Sequence, residues 1–166
     1  MRGYPEDKHW VREGFSVIET IRNLNGPLVE LAGPTDTGYA LVDLDKLDKR
    51  LFVSNLFPGS PRYDDETGKF LGYIGSVDFQ ADAMAIPIKN EGCGALFVSF
   101  LPFELGEKIF SEAYRVLQKG GLLIWQGGYN PNMKSAKELG FEVMEYLKRY
   151  DKDSGFYFWN VVFQKK

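Results

Sequence analysis

Histidine and cysteine, the side chains most often used as proton carrier and nucleophile, occur once each in this chain, as His9 and Cys93. His9 precedes an amphipathic stretch and reads as a solvated residue rather than a general base. Cys93 stands between Gly92 and Gly94. With no histidine or basic partner beside it to favour the thiolate, it reads as buried or indifferent, not as a nucleophile. A lone cysteine forms no internal disulfide, and without a Cys/His cluster a structural zinc has no ligands. Neither a Gly-x-Gly-x-x-Gly run nor a phosphate-binding P-loop is present.

A chain of 166 residues is close to one ordinary core, which sets the expectation of a single domain over 1–166. With 44% hydrophobic, 15% aromatic and 26% charged residues it can bury that core, and disordered or low-complexity classes do not fit. Twenty basic against twenty-three acidic side chains leave a net charge of -3 and no broad phosphate-neutralising face, so nucleic acid is not an expected partner. The polar start Met1-Arg2-Gly3-Tyr4-Pro5 lacks the apolar centre of a leader, and no apolar run approaches the ~18 residues of a membrane span. With the single cysteine, this gives the expectation of a soluble cytoplasmic protein.

Trp10, Val11, Phe15, Ile18, Ile21 and Leu24 recur at three- and four-residue intervals, which predicts an amphipathic helix over 9–24 closed by Asn25-Gly26-Pro27. Leu28-Val29-Glu30-Leu31-Ala32 predicts a buried strand running into a tight loop over 33–38. Residues 39–49 fit a helix or an extended chain equally, and 51–56 form a better strand. Residues 58–75, with two prolines, several glycines and Asp64-Asp65-Glu66, read as an exposed excursion placed to cover something. Residues 77–81 alternate briefly, and 95–101 are continuously apolar, the pattern of a central strand covered on both faces. Ile109, Phe110, Ala113, Tyr114 and Leu117 keep helical period, with Lys119-Gly120-Gly121 closing that helix. A strand over 122–125 and a small helix over 132–139 follow. Two aromatic-rich runs, 141–150 and 156–163, then flank the hairpin loop 151–155. Tyr146, Tyr150, Phe156, Tyr157, Phe158 and Trp159 read as sheet core or, where exposed, as a dimer or partner surface. The alternation predicts an α/β fold, a doubly wound, mostly parallel sheet with helices on both faces and a C-terminal antiparallel hairpin.

Two phrases carry a further message: Ser111-Glu112-Ala113-Tyr114-Arg115-Val116-Leu117-Gln118-Lys119-Gly120-Gly121-Leu122-Leu123-Ile124, and Asp82-Ala83-Met84-Ala85-Ile86-Pro87-Ile88. The first resembles the helix, Gly-Gly turn and fifth strand of the Rossmann-like (class I) S-adenosylmethionine-dependent methyltransferases. The second is similar to that family's segment after its third strand, and the resemblance covers the chain from Val11 onward. It implies S-adenosylmethionine as cofactor and S-adenosylhomocysteine as product, bound at the carboxyl edge of the first three strands. Glu30, Ala32 and Gly33 would then belong to the first motif, Asn55 would face the ribose, and Asp82 would meet the adenine amino group. Ala83 and Met84 would line the ring, and Ser99 and Phe100 would end the fourth strand near cofactor and substrate.

The first motif departs from the family, because Pro34-Thr35-Asp36-Thr37 replaces a dense glycine pattern and removes one backbone N–H. Asn55 stands where the family usually offers a carboxylate, and the helix after the first motif has at most residues 38–47 to occupy. Tyr129-Asn130-Pro131 echoes an amino-methylating motif but follows the fifth strand and lacks a second proline, so it reads as a turn. Each proposed site residue also has a plain structural reading: Gly33 as turn chemistry, Asp82 as a turn carboxylate, Asn55 as a strand-end cap.

Two functions follow from the resemblance. One is methyl transfer to a small-molecule acceptor, with no residue singled out as catalytic. The other is a non-catalytic methyltransferase-fold module for binding or assembly, which the Pro34 loop, the short helix and Asn55 favour. An open cleft beside Gly33, Asn55 and Asp82 marks the first, and a cleft filled by Tyr39 or by residues 58–75 marks the second. A nucleotide-binding doubly wound domain of another kind is a third reading. With no inserted cap, a homodimer or partner subunit is one way to complete the site.

Overall fold

The computed structural model describes residues 8–33, 38–101 and 105–166. In chain order its strands are β1 (Lys8–Val11), β2 (Leu28–Leu31), β3 (Leu51–Asn55), β4 (Ser60–Tyr63), β5 (Phe70–Ile74), β6 (Phe79–Gln80), β7 (Cys93–Ser99), β8 (Leu117–Gly127), β9 (Phe141–Asp151) and β10 (Phe156–Lys165). Its helices are α1 (Val17–Asn23), α2 (Gly106–Val116) and α3 (Met133–Glu138). Eight strands form one sheet in the order β1-β9-β10-β8-β7-β2-β3-β6, and β4 pairs with β5 as a separate ribbon. From β6 through β8 every pairing is parallel, whereas β10 lies antiparallel between β8 and β9, and β1 runs antiparallel to β9.

All seven residues of β7 are buried, as a central strand covered on both faces requires. On one face α2 sets Ile109, Phe110 and Ala113 against Leu96, Val98, Leu123, Val161 and Phe163. Phe110 stacks on Trp125 with ring centroids 5.9 Å apart and meets Phe163 edge to face at 5.3 Å. On the other face α1 sets Val17 and Ile21 with Tyr39 and Val42 against Leu28, Phe97, Ile124 and Val162.

Two expectations are corrected, for the opening helix and for the close of α2, and two segments gain detail. The helix over 9–24 is half strand: β1 pairs with β9, Gly14 turns the chain at φ 71°, and Ser16 caps a helix that starts only at Val17. Trp10 and Val11, which had supplied the first half of the helical period, are exposed at 50% and 38%. Residues 39–49 hold a single 3-10 turn, Leu44–Lys46, and no α-helix. The excursion over 58–75 contains the β4–β5 ribbon, whose aromatic side chains pack on one another. Finally, Gly120 and Gly121 lie inside β8 rather than closing α2. The cation at the end of α2 is Lys165, whose Nζ donates to the carbonyls of Tyr114 and Leu117, both at 2.8 Å. Gly121 is required where it stands, since a Cβ there would lie 2.9 Å from the Gly94 carbonyl oxygen.

Among the described residues no helix is long and apolar enough to cross a membrane.

Candidate functional site

The connection from β2 leads outward to β3, and the connection from β7 leads outward to β8 on the other side. The crevice between the carboxyl ends of β2 and β7 is therefore the topological switch point, where open α/β sheets bind ligands. Both strands leave the sheet there through a strained residue: Ala32 follows β2 at φ 61°, and Phe100 follows β7 at φ 52°. Left-handed backbone costs an L-residue roughly 1–2 kcal/mol, and such strain gathers at functional sites.

Around Ala32 the chain is held by its own side chains. The Gly33 N–H donates to the Ser54 carbonyl at 3.0 Å, and Asn55 Nδ2 donates to the Gly33 carbonyl at 2.7 Å. Asn55 Oδ1 accepts from the Phe57 N–H at 3.4 Å, so both ends of this amide are engaged. Glu30 is 3% exposed and accepts from the Tyr39 hydroxyl at 3.0 Å. Burial pushes the Tyr39 hydroxyl well above its ordinary 10.0, helped by the charge and hydrogen bond of Glu30, so the phenol stays a donor. A Cβ on Gly33 would lie 2.5 Å from Glu30 Cδ, which explains the glycine by the carboxylate folded beneath it.

Asp82 reaches the same edge through β6, because the Ala81 N–H donates to the Asn55 carbonyl at 2.9 Å. Its carboxylate is exposed, Oδ1 accepts from the Met84 N–H at 2.8 Å, and Ala83 and Met84 are half-buried. This segment is clamped from α2. Glu112 Oε2 accepts from the Ile86 N–H at 2.8 Å, and Arg115 donates to the carbonyls of Ile86 (2.9 Å) and Ile88 (2.8 Å). The Arg115 guanidinium, hydrogen-bonded to Glu112 at 2.6 Å, holds that carboxyl below its ordinary value.

At the carboxyl ends of β7 and β8 and the middle of β10 three buried polar residues stand in one register row, Ser99 beside Gln126 beside Asn160, at 6%, 8% and 2% exposure. Gln126 Nε2 donates to the Gly38 carbonyl (2.8 Å) and its Oε1 accepts from the Ala40 N–H (2.9 Å), which fastens the returning chain over the sheet edge. Asn160 Oδ1 has no hydrogen-bond partner. A cavity of about 340 Å³ opens here, with Phe100, Gln126 and Asn160 in its lining.

The structure thus brings Glu30, Ala32, Gly33 and Asn55 into one bonded cluster, sets Asp82, Ala83 and Met84 beside it, and places Ser99 and Phe100 on the far side of the switch point. Pro34, Thr35, Asp36 and Thr37 lie outside the described residues. Tyr39 was named from sequence only as a side chain that could fill the cleft, and Gln126 and Asn160 were missed. The only local signal for the last two is a polar residue next to an apolar run, at Trp125-Gln126 and Asn160-Val161. His9 bonds Glu145 at 2.9 Å on the outermost strand of the sheet, away from this edge. Cys93 begins β7 at the opposite end, fully buried, and burial pushes its thiol up to about 12. No group of three metal-ligating side chains occurs among the described residues.

No family model matches this sequence, and no curated protein matches it. Solved structures do. A protein of Bacillus halodurans C-125, provisionally assigned as a methyltransferase, shares 15% identity over 89% of this chain and 96% of its own, with a TM-score of 0.57. An S-adenosylmethionine-dependent methyltransferase from Mesorhizobium loti shares 10% identity over 84% of this chain and 90% of its own, with a TM-score of 0.54. The [4+2]-cyclase SpnF shares 11% identity over 90% of this chain and 78% of its own, with a TM-score of 0.52. These likenesses show a class I methyltransferase fold, and the cyclase shows that this architecture also carries other chemistry.

Proposed function

We propose that this class I methyltransferase fold binds S-adenosylmethionine across the carboxyl ends of β2, β3 and β6 and transfers the methyl group to a small-molecule acceptor beside β7 and β8. The observation that carries the reading is the pair of left-handed residues, Ala32 and Phe100, at the switch point. Two ends of the cofactor fit. Asp82 keeps Oδ2 without a protein partner among the described residues, to meet the adenine amino group, and Ala83 and Met84 are placed to line the ring. Gly33, with no side chain and its loop tied to β3, leaves backbone to approach the methionine end, and Glu30 braces that loop from below. The ribose fits less well, since Asn55 carries no charge and its amide is already engaged.

When bound, S-adenosylmethionine supplies a methyl group on a positively charged sulfur that is a good leaving group. The residues of this chain then need to orient the acceptor and exclude water, and a dedicated base is optional. Completion of the site by a second copy or a partner subunit belongs to the same reading. The engaged Asn55 amide and the Tyr39 side chain, buried and bonded to the Glu30 beneath Gly33, are the observations favouring the second function, a non-catalytic module.

Calorimetric titration with S-adenosylmethionine and S-adenosylhomocysteine tests this. The wild type is expected to bind both in the micromolar range and Asp82→Ala to lose about tenfold. Gly33→Val is a poor probe here, as its side chain would strike Glu30 rather than the ligand. A folded wild type that binds neither compound sinks the enzyme reading and leaves the module.

A further inference from the structure

We infer that the cavity at the carboxyl end of β8, beside the first half of the antiparallel β10, binds a small planar carboxylate that also carries an O–H or N–H donor. It has a volume of about 340 Å³, and the argument rests on six of its lining residues, Phe100, Gln126, Arg149, Asp151, Phe158 and Asn160. Its floor is the unusual part. Two side-chain amides stand next to each other in the sheet register, and their situations are opposite. Gln126 uses its amide on the backbone of Gly38 and Ala40, so it is a structural strut. Asn160, only 2% exposed, has a carboxamide oxygen with no hydrogen-bond partner. Native proteins rarely leave such an acceptor unpaired in the interior, because it forgoes water without receiving a donor in exchange. Asn160 lines the cavity, and although its Oδ1 is closed off from solvent in this rotamer, a half-turn of the planar carboxamide brings that acceptor to a donor on the molecule that fills the space.

The mouth supplies the opposite requirement. Arg149 and Asp151 are two residues apart on β9 and so share a face of the strand. Asp151 is occupied by the hairpin turn: Oδ1 accepts from the Asp153 N–H and Oδ2 from the Ser154 N–H, both at 3.3 Å. Arg149 is exposed and makes no hydrogen bond or ion pair among the described residues, leaving its planar fork for a carboxylate. Between floor and mouth the walls are two aromatic rings, Phe100 and Phe158, edge to face with centroids 5.7 Å apart, which favour a flat body over a branched one. Phe158 stands opposite Arg149 in the ladder, so ring wall and cation face the same space.

The site stands on these residues alone. It rests on the methyl-transfer reading only for the role of its ligand, which in that reading is the acceptor.

The test is calorimetry on the full chain without S-adenosylmethionine, using 4-hydroxybenzoate (both groups), benzoate (no donor) and phenol (no carboxylate) as probes. 4-Hydroxybenzoate is expected to bind, with benzoate and phenol each about tenfold weaker or more. Asn160→Leu is expected to bring 4-hydroxybenzoate down to the affinity of benzoate while leaving the melting temperature unchanged or higher, since a buried unpaired amide gives way to an apolar group of similar size. Arg149→Gln, a change at an exposed side chain that folding tolerates, is expected to bring it down to the affinity of phenol. Unchanged affinity in both variants overturns the inference, as does failure of 4-hydroxybenzoate to bind at millimolar concentration, in which case ordered water satisfies Asn160. Cofactor binding without probe binding overturns this inference alone, and probe binding without cofactor binding overturns only the proposed function.

Discussion

The two halves of the sheet are built to different thickness. From β7 to β9 the strands run seven to eleven residues, and β7 is buried along its whole length between α2 on one face and α1 on the other. On the other side β2, β3 and β6 have four, five and two residues, and their connections show no α-helix among the described residues. One of those connections holds the β4–β5 ribbon, where Tyr63, Phe70 and Tyr73 pack on each other while each stays about half exposed. The difference teaches where stability and function reside. The thick half carries the cooperative core, and the thin half has just enough strand to present Gly33, Asn55 and Asp82 at one edge, with the Glu112–Arg115 clamp tying it back.

The largest effect expected is from Phe110→Ala, which removes the ring at the centre of the thick half and should cost about 3–5 kcal/mol in urea unfolding. A loss below about 1 kcal/mol would break the contrast, because the two halves would then share the core equally. Next comes Arg115→Met, expected to cost about 1–2 kcal/mol, discounted for the partial exposure of the pair. The change should show in native-state hydrogen exchange of residues 82–90 before it shows in α2 or β7. Acid gives the sign independently. The folded Glu112 carboxyl lies below its ordinary 4.5, so its stabilisation is complete above that value and is lost as pH falls through the lowered one. Protection at 82–90, taken relative to the intrinsic exchange rate at each pH, should therefore fall on acidification in the wild type and change less in Arg115→Met. The smallest effect is Ala32→Gly. Relief of about 1–2 kcal/mol of left-handed strain is opposed by about 0.5–1 kcal/mol of added freedom in the unfolded chain, for a net gain under about 1 kcal/mol by thermal melting. A destabilised Ala32→Gly would show that the switch point stores no strain.

What the sequence disclosed follows the same division. The continuous apolar run of β7, the helical period of Ile109, Phe110 and Ala113, and the aromatic runs of β9 and β10 are local signals written in the thick half, and the structure places those elements there. The opening stretch misled because Trp10 and Val11 sit at helical spacing from Phe15 and Ile18, yet their partners, Tyr146 and Glu145, lie far along the chain. In residues 39–49 the pattern was equal for helix and extended chain, and the structure gives little of either. At the site, Glu30, Gly33, Asn55 and Asp82 were singled out through the family resemblance, but their bonds were not legible. That Tyr39 reaches Glu30, or that Ser99, Gln126 and Asn160 form one row, depends on register between strands, which no local window contains.

The docking of β1 also sets a timetable for synthesis. His9 bonds Glu145 across a separation of 136 residues, and the whole of β1 ladders onto β9. At ribosomal speed that interval lasts on the order of ten seconds, during which Trp10 and its neighbours have been made and their ladder has not. The first strand of the chain is thus among the last to find its place, and a nascent chain stopped short of residue 141 carries it unpaired.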